Sequence, residues 1–111
     1  MTTPAIDRRV INELQDTARA DFVTQLVAEF FEQAPLMLAE LRDAWATGSA
    51  DRFRRAAHSI KSNAMTFGAA SLGAMARELE LGGLPADSTT LAALCVEYDR
   101  AAAALKELCH G

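Results

Sequence analysis

The apolar residues of this 111-residue chain recur at steps of three and four residues in one segment after another. That spacing places side chains on one face of an α-helix, whereas a half-buried strand alternates apolar and polar residues. No strand-like alternation of Val, Ile and Thr occurs in the sequence. Because each helix can bury only a stripe, several must pack together. The pattern therefore predicts an all-α protein.

Capping and turn-forming residues divide the first half of the chain. A short helix is predicted from residues 4–7 to about Thr17, and a second begins near Asp21. Pro35 disfavours helical backbone in the residue before it and suits the first position of a new helix. A break or a kink is therefore predicted there, before a segment that stops near Gly48.

The second half contains three further helical segments. Ser49 or Asp51 can cap a helix that ends at Gly68, and the next helix runs from about Ala70 to residues 82–83. In the loop LPADS, the Asp or the Ser can cap the last helix, whose apolar residues follow a near-heptad spacing. The total is five or six helices joined by short loops.

Length and charge narrow the class of protein. A chain of this size buries one core, so residues 1–111 are predicted to form a single domain, an antiparallel four-helix bundle with an additional N-terminal helix. The formal charge is −4 and the eleven Lys and Arg residues are dispersed, which argues against a nucleic-acid partner. No apolar run is long enough for a membrane span. We expect a cytoplasmic monomer.

Several residues are assigned to structural roles. Cys95 and Cys109 form no CxxC or metal-ligand pattern and are interpreted as small hydrophobic residues. Phe22 and Phe30 are expected in the core and Trp45 is expected to be partly buried. The sequence lacks the two Glu-x-x-His motifs, one on each of two helices, that bind metals inside bundles, so no metal site is predicted.

The stretch AAHSIKSNAMTFGAA, which begins at Ala56, holds one of the two histidines; the other, His110, is expected at a fraying end. On a helical wheel one arc about 80° wide collects the apolar residues of this segment. Its members are Phe53, Ala57, Ile60, Ala64 and Phe67. His58 lies roughly 120–160° from the middle of that arc. Its imidazole is therefore predicted to face solvent.

The neighbours of His58 on the outward face suit an anion. They are Arg54, Arg55, Lys61, Ser62 and Met65. An exposed imidazole is mostly the free base at neutral pH, so a ring nitrogen can act as a nucleophile. A lysine one turn away favours any anion that becomes attached to the ring. Ser62 adds a hydroxyl and Met65 an apolar contact for a partner protein. The arrangement suits a phosphoryl group, although His-x-x-Lys alone is permissive, and a surface histidine without a chemical role remains the alternative.

The stretch AAHSIKSNAMTFGA resembles the signature of histidine-containing phosphotransfer (HPt) domains. In that signature an Ala-His pair is followed by an apolar residue, a lysine, small residues, and Leu or Phe before Gly. His58, Lys61, Phe67 and Gly68 fall on the matching places. The family's second and third helices are similar to the segment FVTQLVAEFFEQAPLMLAELRDAW. The residues that lead up to the histidine in the family are similar to the segment GSADRFRRAAHSIK. The likeness covers nearly the whole chain.

The resemblance implies a four-helix bundle with extra N-terminal helical structure and a role in phosphorelay. His58 is implied to take a phosphoryl group from an aspartyl-phosphate on one receiver domain and to deliver it to another, with Lys61 beside the phosphoryl oxygens. Ser62 stands where many members have glycine, and Asn63 replaces a common serine. Glu80 falls where some members carry a glutamine that touches the imidazole. Of the two alternatives, contact with the ring or exposure to solvent, exposure is expected.

The implied partners are response-regulator receiver domains, a hybrid histidine kinase, or both. No phosphate-binding loop or nucleotide motif adjoins His58, so ATP is not the expected donor. The chain is predicted to be a phosphoryl carrier rather than an enzyme, without a cofactor, and Mg²⁺ is expected on the receiver. Its Met1 start favours a free-standing shuttle. The alternative is a helical adaptor that binds signalling partners without phosphotransfer.

Overall fold

A computed structural model of the chain describes residues 5–17 and 20–110. The described residues form five helices and no strand, as the sequence predicted. The helices are α1 (Arg8–Thr17), α2 (Ala20–Thr47), α3 (Ala50–Thr66), α4 (Ala70–Gly82) and α5 (Thr89–His110). The predictions for the side chains of Phe22, Cys109 and His110 lie outside the part that the structure describes.

Helices α2 to α5 form a four-helix bundle, and α1 is the additional N-terminal helix. α3 packs against α2 and α4, and α5 closes the bundle by packing against α4 and α2. The connections at 48–49, 67–69 and 83–88 are short, so consecutive helices run antiparallel. Among the described residues no helix combines the length and the apolarity that crossing a membrane requires.

Helix α2 continues through Pro35, where the sequence predicted a break or a kink. The proline lacks an N–H and leaves one main-chain carbonyl of the preceding turn without its helical donor. Pro35 faces solvent, whereas its neighbours Ala34 and Leu38 are buried. Burial of the apolar stripe on both sides holds the helix together across the missing hydrogen bond. The described residues therefore form five helices rather than six.

The buried face of α3 is the one that the helical wheel predicts. Its five members, Phe53, Ala57, Ile60, Ala64 and Phe67, are all at most 4% exposed. The ring of Phe67 lies 5.1 Å from that of Phe30 on α2, and Phe30 lies 5.7 Å from Tyr98 on α5. This aromatic contact joins three parts of the bundle in one core.

Two further predictions on aromatic residues are confirmed. Phe30 is buried, and Trp45 is partly buried. The Trp45 indole N–H donates a hydrogen bond to the carbonyl of Pro85 at 2.9 Å. This bond ties the end of α2 to the loop that leads into α5.

Gly68 joins α3 to the N-terminal segment. Its backbone has a φ of +72°, which L side chains rarely adopt, and its carbonyl accepts a hydrogen bond from the Asp7 N–H at 2.7 Å. A Cβ at this position would lie 2.9 Å from the Cβ of Val10. Asp7 in turn accepts a hydrogen bond from the Arg9 N–H at the start of α1. The glycine therefore ends α3, as predicted, and allows α1 to pack beside the turn.

Candidate functional site

His58 lies on the solvent-facing side of α3, as the wheel predicts, and its side chain is 57% exposed. The residues just before it in the chain, Ala56 and Ala57, are buried against the neighbouring helices. Packing on that opposite face fixes the helix, so the imidazole projects from a rigid support rather than from a loop.

The antiparallel path of α4 brings Glu80 beside the histidine. Its Oε1 lies 2.9 Å from His58 Nδ1, and its Oε2 lies 2.9 Å from Lys61 Nζ. The Glu80 side chain is only 15% exposed. The expectation that this residue faces solvent is therefore wrong, because the packing of α4 on α3 turns the carboxylate toward the imidazole. The Glu80 carboxylate therefore contacts both His58 and Lys61, the two residues that the sequence analysis singled out.

Two neighbouring nitrogen groups lower the pKa of this carboxylate. The Lys61 ammonium has the larger effect and His58 the smaller one, and together they hold the pKa of the Glu80 carboxyl below its ordinary value. Glu80 is therefore ionised at neutral pH. Its Oε2 is shielded from solvent, and its contact with Lys61 is an ion pair by distance rather than a well-aligned hydrogen bond.

The ionised carboxylate decides which ring nitrogen of His58 is free. A carboxylate only accepts hydrogen bonds, so the tautomer that suits a 2.9 Å contact at Nδ1 carries its proton there. Nε2 then keeps its lone pair. The basic nitrogen of His58 is consequently the one that the carboxylate does not touch.

The other residues predicted on this face are exposed but have different neighbours. Ser62 and Met65 are exposed, as expected. The Met65 sulfur also lies close to α4, since a Cβ at Gly73 would approach it to 3.0 Å. Arg54 and Arg55 are exposed, and both pair with Asp51 of their own helix at 3.0 and 3.2 Å. The structure therefore gives the two arginines a partner other than the histidine.

Sequence reasoning missed one ionic contact between α2 and α3. Arg52 reaches Glu40 and Asp43 with two N···O distances of 2.8 Å. These partners lie twelve and nine residues away in the chain. No spacing within a single helix indicates such a pairing, because it forms only when the two helices fold back on each other. The contact holds the N-terminal end of α3, which precedes His58, against α2.

A groove between α2 and α3 lies beside the histidine. It is lined by Leu36, Met37, Glu40, Arg52, Arg55, Ala56 and Ser59. Ala56 and Ser59 are close neighbours of His58 in sequence, and Leu36 is 65% exposed. The groove thus combines apolar and charged side chains along the part of α3 that carries His58. Among the described residues no group of three or more His, Cys, Asp and Glu is placed to hold a metal ion.

An accessible imidazole with a paired ring nitrogen, presented by a helical bundle beside a lysine, is the arrangement expected of a phosphoryl carrier protein. The family model for the Hpt domain matches residues 25–110. The chain belongs to the Hpt domain family, and it has the phosphorelay function of that family, histidine phosphotransfer in two-component signal transduction. Hpt domains interact with receiver domains and histidine kinases in such relays.

A solved structure agrees with this assignment. The chain is similar to the crystal structure of histidine-containing phosphotransfer protein B (HptB) from Pseudomonas aeruginosa PAO1, with a TM-score of 0.77 and 28% sequence identity. The match covers 98% of this chain and 94% of the other. No curated protein matches the chain.

Proposed function

We propose that His58 carries the phosphoryl group of this Hpt domain and that Nε2 is the nucleophile. The observation that carries the proposal is the contact of Nδ1 with Glu80 at 2.9 Å on a side chain that is still 57% exposed. A ring held at one nitrogen and open at the other presents a fixed lone pair to a visiting protein.

The transfer balances without an added proton. The Nε2 lone pair of His58 attacks the phosphorus of an aspartyl-phosphate on a receiver, and the bond from phosphorus to the aspartate oxygen breaks. The aspartate leaves as a carboxylate, and the ring becomes a phosphorylated imidazolium that keeps its proton on Nδ1. Glu80 lies against that proton and offsets the new positive charge. Attack by an aspartate of a second receiver reverses each step.

Charge on the phosphoryl oxygens must be neutralised by cations during transfer. We assign part of this role to Lys61, which shares the Glu80 carboxylate with His58. We assign the rest to the receiver, which is proposed to supply the reacting aspartate and Mg²⁺. In this proposal the chain binds no cofactor and is a carrier, while the receiver provides the catalysis.

We infer that the receiver docks over His58 and the adjoining α2–α3 groove. Exposed Leu36 offers an apolar contact there, and the charged groups of Glu40 and Arg55 border it. A transient complex of this kind needs only a small interface. The proposed setting is a cytoplasmic monomer in which residues 1–111 act as one domain, with receiver domains, a hybrid histidine kinase or both as partners.

The test compares wild-type protein with His58→Gln. Each is incubated with a receiver labelled on its aspartate with radioactive phosphate, and the acid lability of the transferred label is measured. We expect an acid-labile label on the wild type and none on the variant. Label on His58→Gln would assign the chemistry to another residue, and a receiver that binds the wild type without transfer would support the adaptor alternative. Matching circular dichroism spectra confirm that the variant is folded.

A further inference from the structure

We propose that Glu80 is a positioning residue whose negative charge, shared between the His58 imidazole and the Lys61 ammonium, sets the lifetime of the phosphohistidine. This inference rests on the proposed role of His58. It goes further, because it assigns separate effects to the hydrogen bond and to the charge of one side chain.

The two carboxylate oxygens of Glu80 contact different groups. Oε1 faces His58 Nδ1 at 2.9 Å, and Oε2 faces Lys61 Nζ at the same distance. The carboxylate is largely buried between α3 and α4, so water screens it less than it would screen a surface charge. A single fixed charge therefore acts on both the ring and the ammonium.

The charge matters most after the phosphoryl group has arrived. The ring then carries a positive charge, and a carboxylate in direct contact with Nδ1–H stabilises it. The phosphoryl group sits on the far nitrogen, so its repulsion by Glu80 acts over a longer distance and is weaker. We conclude that the net effect of the carboxylate is to make the phosphorylated imidazole a poorer leaving group.

Glu80 also restrains Lys61. While the ammonium is paired with Oε2, it is less available to the phosphoryl oxygens. Removing the charge of Glu80 destabilises the phosphorylated ring but releases Lys61 to bind the phosphoryl group. The second effect offsets part of the first. The loss caused by removing the charge should therefore be larger when Lys61 is absent.

The experiment uses phosphoramidate as a small phosphoryl donor, so that no receiver is needed. All variants carry His110→Gln, which leaves His58 as the only imidazole of the untagged chain. ³¹P nuclear magnetic resonance identifies the phosphorylated nitrogen and follows hydrolysis. Glu80→Gln keeps an acceptor for Nδ1–H and removes the charge, whereas Glu80→Ala removes both. Glu78→Gln, an exposed carboxylate on the same helix, is the matched control.

We expect Glu80→Gln to keep the phosphoryl group on Nε2 but to shorten its half-life on the order of tenfold, as loss of a supporting residue commonly does. Glu80→Ala should in addition yield product on Nδ1, and Glu78→Gln should match the wild type. In a Lys61→Ala background, Glu80→Gln should shorten the half-life by a larger factor. A role limited to folding would alter stability without changing the nitrogen that reacts.

Three outcomes would overturn this inference while leaving the role of His58 intact. They are an unchanged half-life in Glu80→Gln, no Nδ1 product in Glu80→Ala, and equal effects with and without Lys61. Failure of the proposed function would give a different experimental result. In that case the His58→Gln variant, which then lacks any imidazole, would take up as much label as the wild type.

Discussion

Glu80 Oε1 and His58 Nδ1 lie 2.9 Å apart although the two residues are separated by 22 positions in the chain. His58 belongs to α3 and Glu80 to α4, so the contact exists only while the two helices keep their register. Small residues permit their close approach. At Gly73 of α4, an added Cβ would lie 3.7 Å from that of Ala64 on α3.

Lys61→Ala should slow phosphotransfer by about 10- to 100-fold, because a cation near the phosphoryl oxygens is lost. The fold should persist, since the Lys61 side chain is 27% exposed and lies outside the core. Stopped-flow or rapid-quench transfer from a phosphorylated receiver measures the rate, and urea unfolding measures stability. A transfer rate equal to that of the wild type would exclude Lys61 from the reaction.

The stabilisation provided by Glu80 should be lost in acid. Because the folded-state pKa of this carboxyl is lowered from 4.5, its contribution is present above that value and disappears as pH falls through the folded pKa. The difference in unfolding free energy between wild type and Glu80→Gln should therefore shrink between about pH 5 and pH 3. Urea titrations at several pH values test this. A difference that stays constant to pH 3 would contradict the ion pairing seen here.

Gly68→Ala should destabilise the protein by at least about 2 kcal/mol, because the positive φ and a steric clash act together. Gly48→Ala is the matched control. Its φ of +73° is nearly the same, but a Cβ there meets nothing within 4 Å. It should cost only about 1 kcal/mol. Equal losses in the two variants would show that the close approach of Val10 and Asp7 to Gly68 adds no cost to the substitution.

Arg52→Ala should lower the urea midpoint more than Arg54→Ala does. Arg52 joins α3 to α2 through two carboxylates, whereas Arg54 pairs within its own helix. Added salt should narrow the gap between the two variants, since exposed ion pairs are screened. Equal midpoints at low salt would remove the assigned role of Arg52 in fixing α3.

The burial pattern of α3 followed from local sequence. Periodicity alone identified five of the buried residues on its inner face, although not Ala56, and placed His58 and Lys61 outside it. Such a prediction succeeds because the rotation from one residue to the next is a fixed property of the helix. Glycine at 68 marked the end of α3 for an equally local reason, its left-handed backbone.

Local rules left the effect of Pro35 open between a break and a kink. The break does not occur, because burial of Ala34 and Leu38 keeps α2 continuous. The sequence by itself thus determined the helical class, most of the core face of α3 and the exposure of His58, because each depends on a repeat within one helix. Only the tertiary structure decided that Glu80 meets His58 and Lys61. That contact depends on how α4 is rotated and placed against α3. Side-chain packing between the two helices sets this placement, and the spacing of residues within α3 or within α4 does not predict it.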